Sequence, residues 1–434
     1  MAAIAASCCL AGAVLTCSLS QAQTVLALQH CLDAARTQNI AAQQAGLQLK
    51  AMEVARRGVL VSGLPKVEFS AGGSYAPATH RFGYDPAVSN LGQLQSQVIV
   101  AQPLYDGGRR RVKVERAELD IAGLSKEQTR ALVDRDLEVR QTFVEALRAQ
   151  SETTLRREAQ SDLSDYAQLV RTLQAGGSAA STDLLRTQIE LATARVEAEK
   201  AGQMLAESKL TLAEFIGTPS DMAFVPSGSL ADDSLFGSES TEPLTPPDTS
   251  GNLDLADART AYGQALSDVR EAERERWPNL SLIADAGYLN SRGNLLTTPA
   301  ERYPGAGYSI GVSLDIPVLD WGGRRLQVQQ RQLMAEAARL QLDLLQRRQE
   351  TERRSIVIKM ASLRDQLDTL REAIVTAQDN YVLTKAKYAG GGAPASEVLS
   401  ARQLVTDTKL SELETRAQLQ LLRAAMIRLT ARVR

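Results

Sequence analysis

The sequence predicts a mainly α fold with a small transmembrane β part: duplicated long α-helical hairpins joined to four β-strands per protomer. Three observations carry this. The 434-residue chain repeats itself once, in order and at a near-constant offset. Each repeat holds a proline-free run of more than sixty residues, with leucines at heptad spacing in the second. Ahead of each run lie two segments of about ten residues with period-two patterning.

The repetition is read from three motif pairs. Leu64-Pro65-Lys66-Val67-Glu68-Phe69 recurs as Trp277-Pro278-Asn279-Leu280-Ser281-Leu282, each followed by a tyrosine, Tyr75 and Tyr288. The run from Pro103 to Arg110 recurs from Pro317 to Arg325, with Trp321 reading as one inserted residue. Ala175-Gly176-Gly177, followed by Asp183-Leu184-Leu185, recurs as Gly390-Gly391-Gly392, followed by Glu397-Val398-Leu399. The organisation expected is a leader at 1–22, a first repeat at 23–217, a loop-rich insert at 218–250 and a second repeat at 251–434. Each repeat reads as helix, strand, loop, strand, long helix, turn, helix.

The strands are expected near 66–75, 96–105, 279–288 and 308–318. Val67, Phe69, Ala71 and Gly73 alternate with Lys66, Glu68, Ser70 and Gly72. Ile310, Val312, Leu314 and Ile316 alternate with Ser309, Gly311, Ser313 and Asp315. Ten residues is the length a tilted strand needs to cross a bilayer, about nine to eleven. The stretches 76–95 and 289–307 read as exposed tips.

The helices follow. Gly107 to about Thr172 and Gly322 to about Tyr388 carry no proline, so each is expected to be one helix of about 100 Å. Leu326, Leu333 and Leu340 form one heptad seam. Leu28, Ala35, Ala42 and Leu49, beside Ala45, Met52 and Val59, form another. The shorter helices Asp183–Gly217 and Asn252–Trp277 together nearly match the long one. The chain is therefore expected to run down one long helix, turn at a glycine corner and return in two stacked pieces.

Composition narrows the class. There are 49 basic and 51 acidic residues, which argues against a nucleic-acid binder. Ala2 to Thr16 is apolar and small, and Ser20-Gln21-Ala22 fits cleavage after Ala22. The rival reading acylates Cys17, for which Thr16 is a poor preceding residue. No early Lys or Arg precedes this stretch, which fits a start lying upstream. Beyond the leader only Cys31 remains, so no internal disulfide is expected. Cys31 with His30 and His80 makes no metal or catalytic cluster, and no cofactor is expected. Nucleophile–base pairs and phosphate loops are missing too, so the chain reads as no enzyme. After the leader no run reaches the roughly 18 apolar residues of a membrane helix.

Four amphipathic strands cannot close a barrel, and open sheet edges are not tolerated in lipid. Three copies give twelve strands, with the polar faces lining a lumen and the long helices continuing it as a coiled-coil α-barrel. The duplicated strand-to-helix junction and the duplicated glycine turn resemble the TolC-like outer-membrane efflux family, the outer membrane factors. The resemblance covers about Gln23 to Arg434. It implies a homotrimeric channel-tunnel in the outer membrane of a Gram-negative bacterium, extending into the periplasm and contacting outer-membrane lipid. It further implies a passive exit duct for tripartite efflux or type I secretion. The partners implied are a periplasmic adaptor (membrane fusion) protein and an inner-membrane pump of the resistance-nodulation-division or ABC type.

Candidate site residues fall in three groups. At the strand–helix junction, Pro103, Gly107, Gly108, Pro317, Gly322 and Gly323 are expected to let the chain bend. Arg109, Arg110, Arg111, Arg324 and Arg325 follow. They read either as headgroup contacts or as a solvated helix start. At the periplasmic tip, Gly176, Gly177, Gly390, Gly391, Gly392 and Pro394 build the turns, which the resemblance makes the adaptor contact. Asp183 and Glu397 suit helix N-termini; by resemblance they stand at the pore entrance. The family's second acid, one turn later, is here Ser400. A soluble coiled-coil adaptor is the rival class; four amphipathic strands and two hairpins argue against it.

Overall fold

The computed structural model describes residues 24–74, 93–217, 224–232, 235–236, 252–292 and 302–431. In chain order the elements are β1 (Thr24–Leu26), α1 (Leu28–Thr37), α2 (Ile40–Val61), β2 (Lys66–Ser74), β3 (Gln93–Tyr105), α3 (Arg109–Ala175) and α4 (Ser181–Ile216). They continue with β4 (Phe224–Pro226), α5 (Leu253–Arg274), β5 (Asn279–Arg292), β6 (Arg302–Asp315), α6 (Gly323–Ala389) and α7 (Ala395–Thr430). Helix lengths match pairwise between the halves. Both α2 and α5 have 22 residues, α3 and α6 have 67, and α4 and α7 have 36. Among the described residues no helix is long and apolar enough to cross a membrane.

The chain divides into two compact units that cut across the repeats. One lies within Asn39–Arg135, Pro243–Lys359 and Ala425–Arg434. It holds an antiparallel sheet in the order β2-β3-β5-β6. Register places Val67, Val100, Ala284 and Ile310 in one cross-strand row, and Phe69, Val98, Ala286 and Tyr308 in the next. These rows share a face, because side chains directly opposite each other project to the same side. The other face carries Glu68, Ile99, Asp285 and Ser309, then Ser70, Gln97, Gly287 and Gly307. The alternation read separately in two strands thus combines into one apolar and one largely polar face. Phe69 is 70 % exposed and Ile310 72 %, so among the described residues nothing covers these positions of the apolar side.

Four strand boundaries differ from expectation. β3 starts at Gln93, and β5 runs on to Arg292, so the expected tips at 76–95 and 289–307 shrink. What remains of those tips, together with Tyr75, lies outside the described residues. β6 begins at Arg302 but stops at Asp315, ahead of Pro317, which has no amide hydrogen to donate to a ladder. Pro103 is accommodated by a register shift between Pro103 and Tyr105.

The single helix expected ahead of the first strand is broken. Asn39, 2 % exposed, caps α2 by accepting from the Ala42 amide at 3.0 Å and donates to the Ala131 carbonyl at 2.8 Å. Asn252 does the same for α5. It accepts from Asp254 N at 2.8 Å and donates to Leu429 O at 2.5 Å. Beside it, Asp254 receives Arg130 and Arg428, each at 2.6 Å, and Asp257 receives Arg130 at 2.7 Å. Burial pushes Asp254 up, but the Arg428 hydrogen bond and charge, with those of Arg130, outweigh it and leave the carboxyl below its usual range. The seam read at Ala42 and Ala45 is buried. The Leu326, Leu333 and Leu340 seam is exposed; Val328 and Ala335 are the buried residues of this stretch.

The other unit lies within Met1–Gln38, Asp136–Glu242 and Met360–Ala424. It contains both helix-to-helix turns and a core of Leu163, Tyr166, Val170, Tyr388, Ala395 and Val398. Cys31 is fully buried here, and burial pushes its thiol up to about 11, so it acts as packing. Two elements escaped the sequence reading. β1 pairs in parallel with β4, inside the segment taken for loop. Buried Gln420 then holds that segment to α7 by donating to Leu230 O at 3.1 Å and Asp232 O at 3.0 Å. The expected leader and most of the 218–250 insert lie outside the described residues.

Candidate functional site

Where strand becomes helix, one construction is used twice. Asp106 accepts from the Gly108 amide at 3.0 Å and the Arg110 amide at 2.8 Å. Asp320 accepts from Gly322 N at 3.1 Å and Arg324 N at 2.9 Å. Each aspartate thereby satisfies orphan amides at the helix start and sets a negative charge against the arginine run. These amide hydrogen bonds, the Arg324 one foremost, hold the Asp320 carboxyl below the usual carboxylate range.

The two residues after each aspartate bend the chain through positive φ: Gly107 at 67° and Gly108 at 80°, then Trp321 at 53° and Gly322 at 85°. Trp321 is therefore not an insertion. It occupies the position that Gly107 fills in the first half, Gly322 stands for Gly108, and Gly323, the first residue of α6, stands where α3 begins with Arg109. Among the described residues Trp321 is the only non-glycine with positive φ, a conformation worth about 1–3 kcal/mol of strain. It is 90 % exposed, so among the described residues little packing offsets that strain. At Gly107 a Cβ would lie 2.5 Å from the Cβ of Trp277. There, glycine is required twice, for backbone and for space.

The junction arginines divide. Arg109 donates to Asp106 O at 2.9 Å, and Arg324 approaches Asp320 at 3.4 Å. Arg110 lies against the backbone of Gly63, where a Cβ would meet its guanidinium. Arg111 pairs loosely with Glu115 at 3.5 Å and stays exposed. Arg274 stands 6.0 Å from the Trp277 ring.

The turns between the paired helices are also built alike. Gly177 and Gly391 both have φ 76°. Ser178 N donates to Leu173 O, and Gly392 N to Lys387 O, both at 2.8 Å. Gly177 N donates to Gln174 O at 2.9 Å, and Gly391 N to Tyr388 O at 3.0 Å. This is the Schellman ending, in which one left-handed residue closes the helix. Of the five turn glycines, only Gly177 and Gly391 need that freedom. Pro394 directly precedes α7, and Asp183 and Glu397 stand in the first turns of α4 and α7.

Behind the turns, the Tyr166 and Tyr388 rings meet at 5.6 Å, tilted by 57°. Both hydroxyls are buried without a well-formed hydrogen bond. Burial first and the Asp183 carboxylate second push the Tyr388 phenol up. For Tyr166 burial leads, followed by Tyr388 and Asp183. One helix turn on, Arg402 is buried on α7 and donates to Ala159 O, and burial lowers its pKa. The sequence reading missed these three residues. An aromatic just ahead of the second glycine turn was the available signal for Tyr388.

The profile of the family described as outer membrane efflux protein matches residues 15–218 and 249–432. The chain belongs to the outer membrane efflux protein family. That membership places it in the outer membrane. A pyoverdine export outer membrane protein of Pseudomonas aeruginosa, OpmQ, is 26 % identical over 245 residues, which is 54 % of this chain and 48 % of that protein. The match thus spans about half the length of this curated relative. Solved structures share the fold. CusC, whose crystal structures concern folding and transmembrane channel formation, gives a TM-score of 0.81 at 14 % identity, covering 95 % of this chain and 94 % of that one. The outer membrane protein VceC of Vibrio cholerae gives 0.75 at 17 %, covering 93 % and 96 %. The MtrE outer membrane channel of Neisseria gonorrhoeae gives 0.72 at 15 %, covering 93 % and 88 %.

Within this efflux-family fold, Gly107 meets Trp277, Gly108 faces Arg274 and Pro103 lies opposite Ser281 of β5, while Pro317, Gly322 and Gly323 follow β6, an outer strand of the sheet. Asp183 comes to Tyr388 of the other hairpin.

Proposed function

We propose that the chain is one copy of a homotrimeric exit duct in the outer membrane, a passive conduit rather than an enzyme, serving tripartite efflux or type I secretion. The sheet carries this reading. Its four strands share one apolar face, and β2 and β6 are left without outer neighbours among the described residues. Lipid does not tolerate such edges, so copies must supply them to one another. β5 and β6, at 14 residues each, are about 45 Å long, enough to span a hydrocarbon core at barrel tilt.

On this reading 23–217 and 251–434 are the two repeats, flanking an insert at 218–250. The turns at Gly176, Gly177, Gly390, Gly391, Gly392 and Pro394 meet a periplasmic adaptor, which links the duct to an inner-membrane pump. Asp183 and Glu397 stand at the entrance. The likeness to a pyoverdine export protein favours a siderophore-class cargo. The full chain, reconstituted in planar bilayers, is expected to give discrete conductance steps. A soluble, non-conducting monomer in the periplasmic fraction rules the duct out. Deleting the gene should raise periplasmic siderophore if that cargo is right, and leave it unchanged if the cargo is a drug or a protein.

A further inference from the structure

Each strand-to-helix junction has a neighbour on either side, and for one junction one neighbour is missing. The start of α3 touches the end of α2 through Arg110 on Gly63, and the end of α5 through Gly107 on Trp277. The start of α6 has the end of α5 beside it, where Arg325 and Val328 share a groove of about 640 Å³ with Arg276 and Trp277. Its other side, at Trp321, is bare.

The repeat says what belongs there. β3 lies beside β5, and the residue leading into β5, Trp277, packs on Gly107. β6 has no such neighbour, and the strand with a free edge to offer it is β2 of a second copy. The residue leading into β2 in the motif that Trp277 shares is Leu64, 57 % exposed. We propose that Trp321 of one copy packs on Leu64 of the next. It is the same joint that Gly107 and Trp277 make within a chain, with the large and small partners exchanged. This rests on the oligomeric reading above and assigns its contact.

A second observation extends the joint. On α2, Leu47, Val54 and Val61 recur every seven residues and are 67 %, 65 % and 58 % exposed. On α6, Leu326, Leu333 and Leu340 do the same at 65 %, 61 % and 62 %. These stripes lie on the two helices that flank the free edges. α2 runs toward the sheet and α6 away from it, so stripes of equal spacing meet antiparallel, with Val61 level with Leu326 and Leu47 with Leu340. That seam begins at the Trp321–Leu64 contact. The exposed tryptophan and its left-handed backbone then have one cause: a position shaped for glycine is filled because the next copy offers a smaller side chain.

The test uses the full chain in outer membranes, with buried Cys31 left in place and the chain lacking introduced cysteines as blank. The Leu64→Cys/Trp321→Cys chain is expected to give a covalent ladder up to a trimer on mild oxidation. Each single variant and the Leu64→Cys/Ile310→Cys chain should give none. Amine cross-linking run in parallel reads the oligomer independently. A cross-linked trimer without the disulfide ladder overturns the contact and leaves the duct standing, whereas no oligomer in any variant removes the reading beneath both. Trp321→Gly should lower the melting of the trimer by about 2–4 °C, and Leu64→Trp added to it should restore that loss. Failure of the restoration counts against the exchange. In a Trp277→Phe chain, quenching of the Trp321 emission by brominated phospholipid would mean that lipid, not a second copy, covers it, and overturns the proposal.

Discussion

Gly107 and Gly322 bend the same junction under different constraints, and substitution separates them. An alanine at either adopts a left-handed backbone, at about 1–2 kcal/mol. Only Gly107→Ala also drives a methyl into Trp277, adding about 1–3 kcal/mol of overpacking. Gly322→Ala meets nothing within 4 Å. Urea titration of the detergent-extracted protein should rank Gly107→Ala well below Gly322→Ala; equal losses would mean that the Trp277 contact is not made. Glu397 gives a second prediction. If its carboxylates ring the entrance, Glu397→Ala lowers cation selectivity and divalent block in bilayer recordings. An unchanged reversal potential leaves only helix-terminus electrostatics. Ser400, one turn behind it on α7, supplies no second acid on that helix.

The start of α5 gathers Asp254 and Asp257 against Arg130 and Arg428 and predicts a pH dependence. The folded carboxyl of Asp254 lies below its ordinary 3.8. Its contribution, about 2 kcal/mol for a charge-assisted hydrogen-bond pair, is therefore complete above that value and lost as pH falls through the folded pKa. Asp257 is pushed up by burial and acts with the opposite sign: its contribution is present below 3.8 and disappears as pH rises through its raised value. Asp254→Asn should thus lower stability at neutral pH and flatten the acid limb below about pH 4, measured by thermal melts across pH. A variant that keeps the wild-type acid limb places the titration elsewhere. The same region shows what could be read in advance. Proline, glycine and period gave the long helices and the turns, because those signals are local. The break at Asn39 was hidden, because the stripe Leu28, Ala35, Ala42 runs straight through it. A hydrogen bond to Ala131, 92 residues away, decides it. β1 and β4 are three residues each, too short for any period to register. The stripe of Leu326, Leu333 and Leu340 was read as a seam, and among the described residues it is left exposed. At the site, the glycines and acids were visible as a repeated motif. The buried tyrosines were not, since burial is a property of four helices together.

Taken as one object, the chain supplies a sheet with an apolar face and two free edges, and helices whose outer stripes match each other and not a water surface. On the proposed trimeric reading, the full length of the sheet becomes stable in lipid only when every edge is matched at once. On the oligomeric reading proposed above, a lone copy does not complete a pore, and arrival in the membrane depends on how many copies are present together. Expression lowered stepwise should leave the membrane fraction falling faster than the total, as a power of it rather than in proportion, read by immunoblot of separated fractions; strict proportionality would show that single copies insert. On that reading a free edge on a sheet works as a census: the pore arises abruptly, once unfinished copies are dense enough to meet.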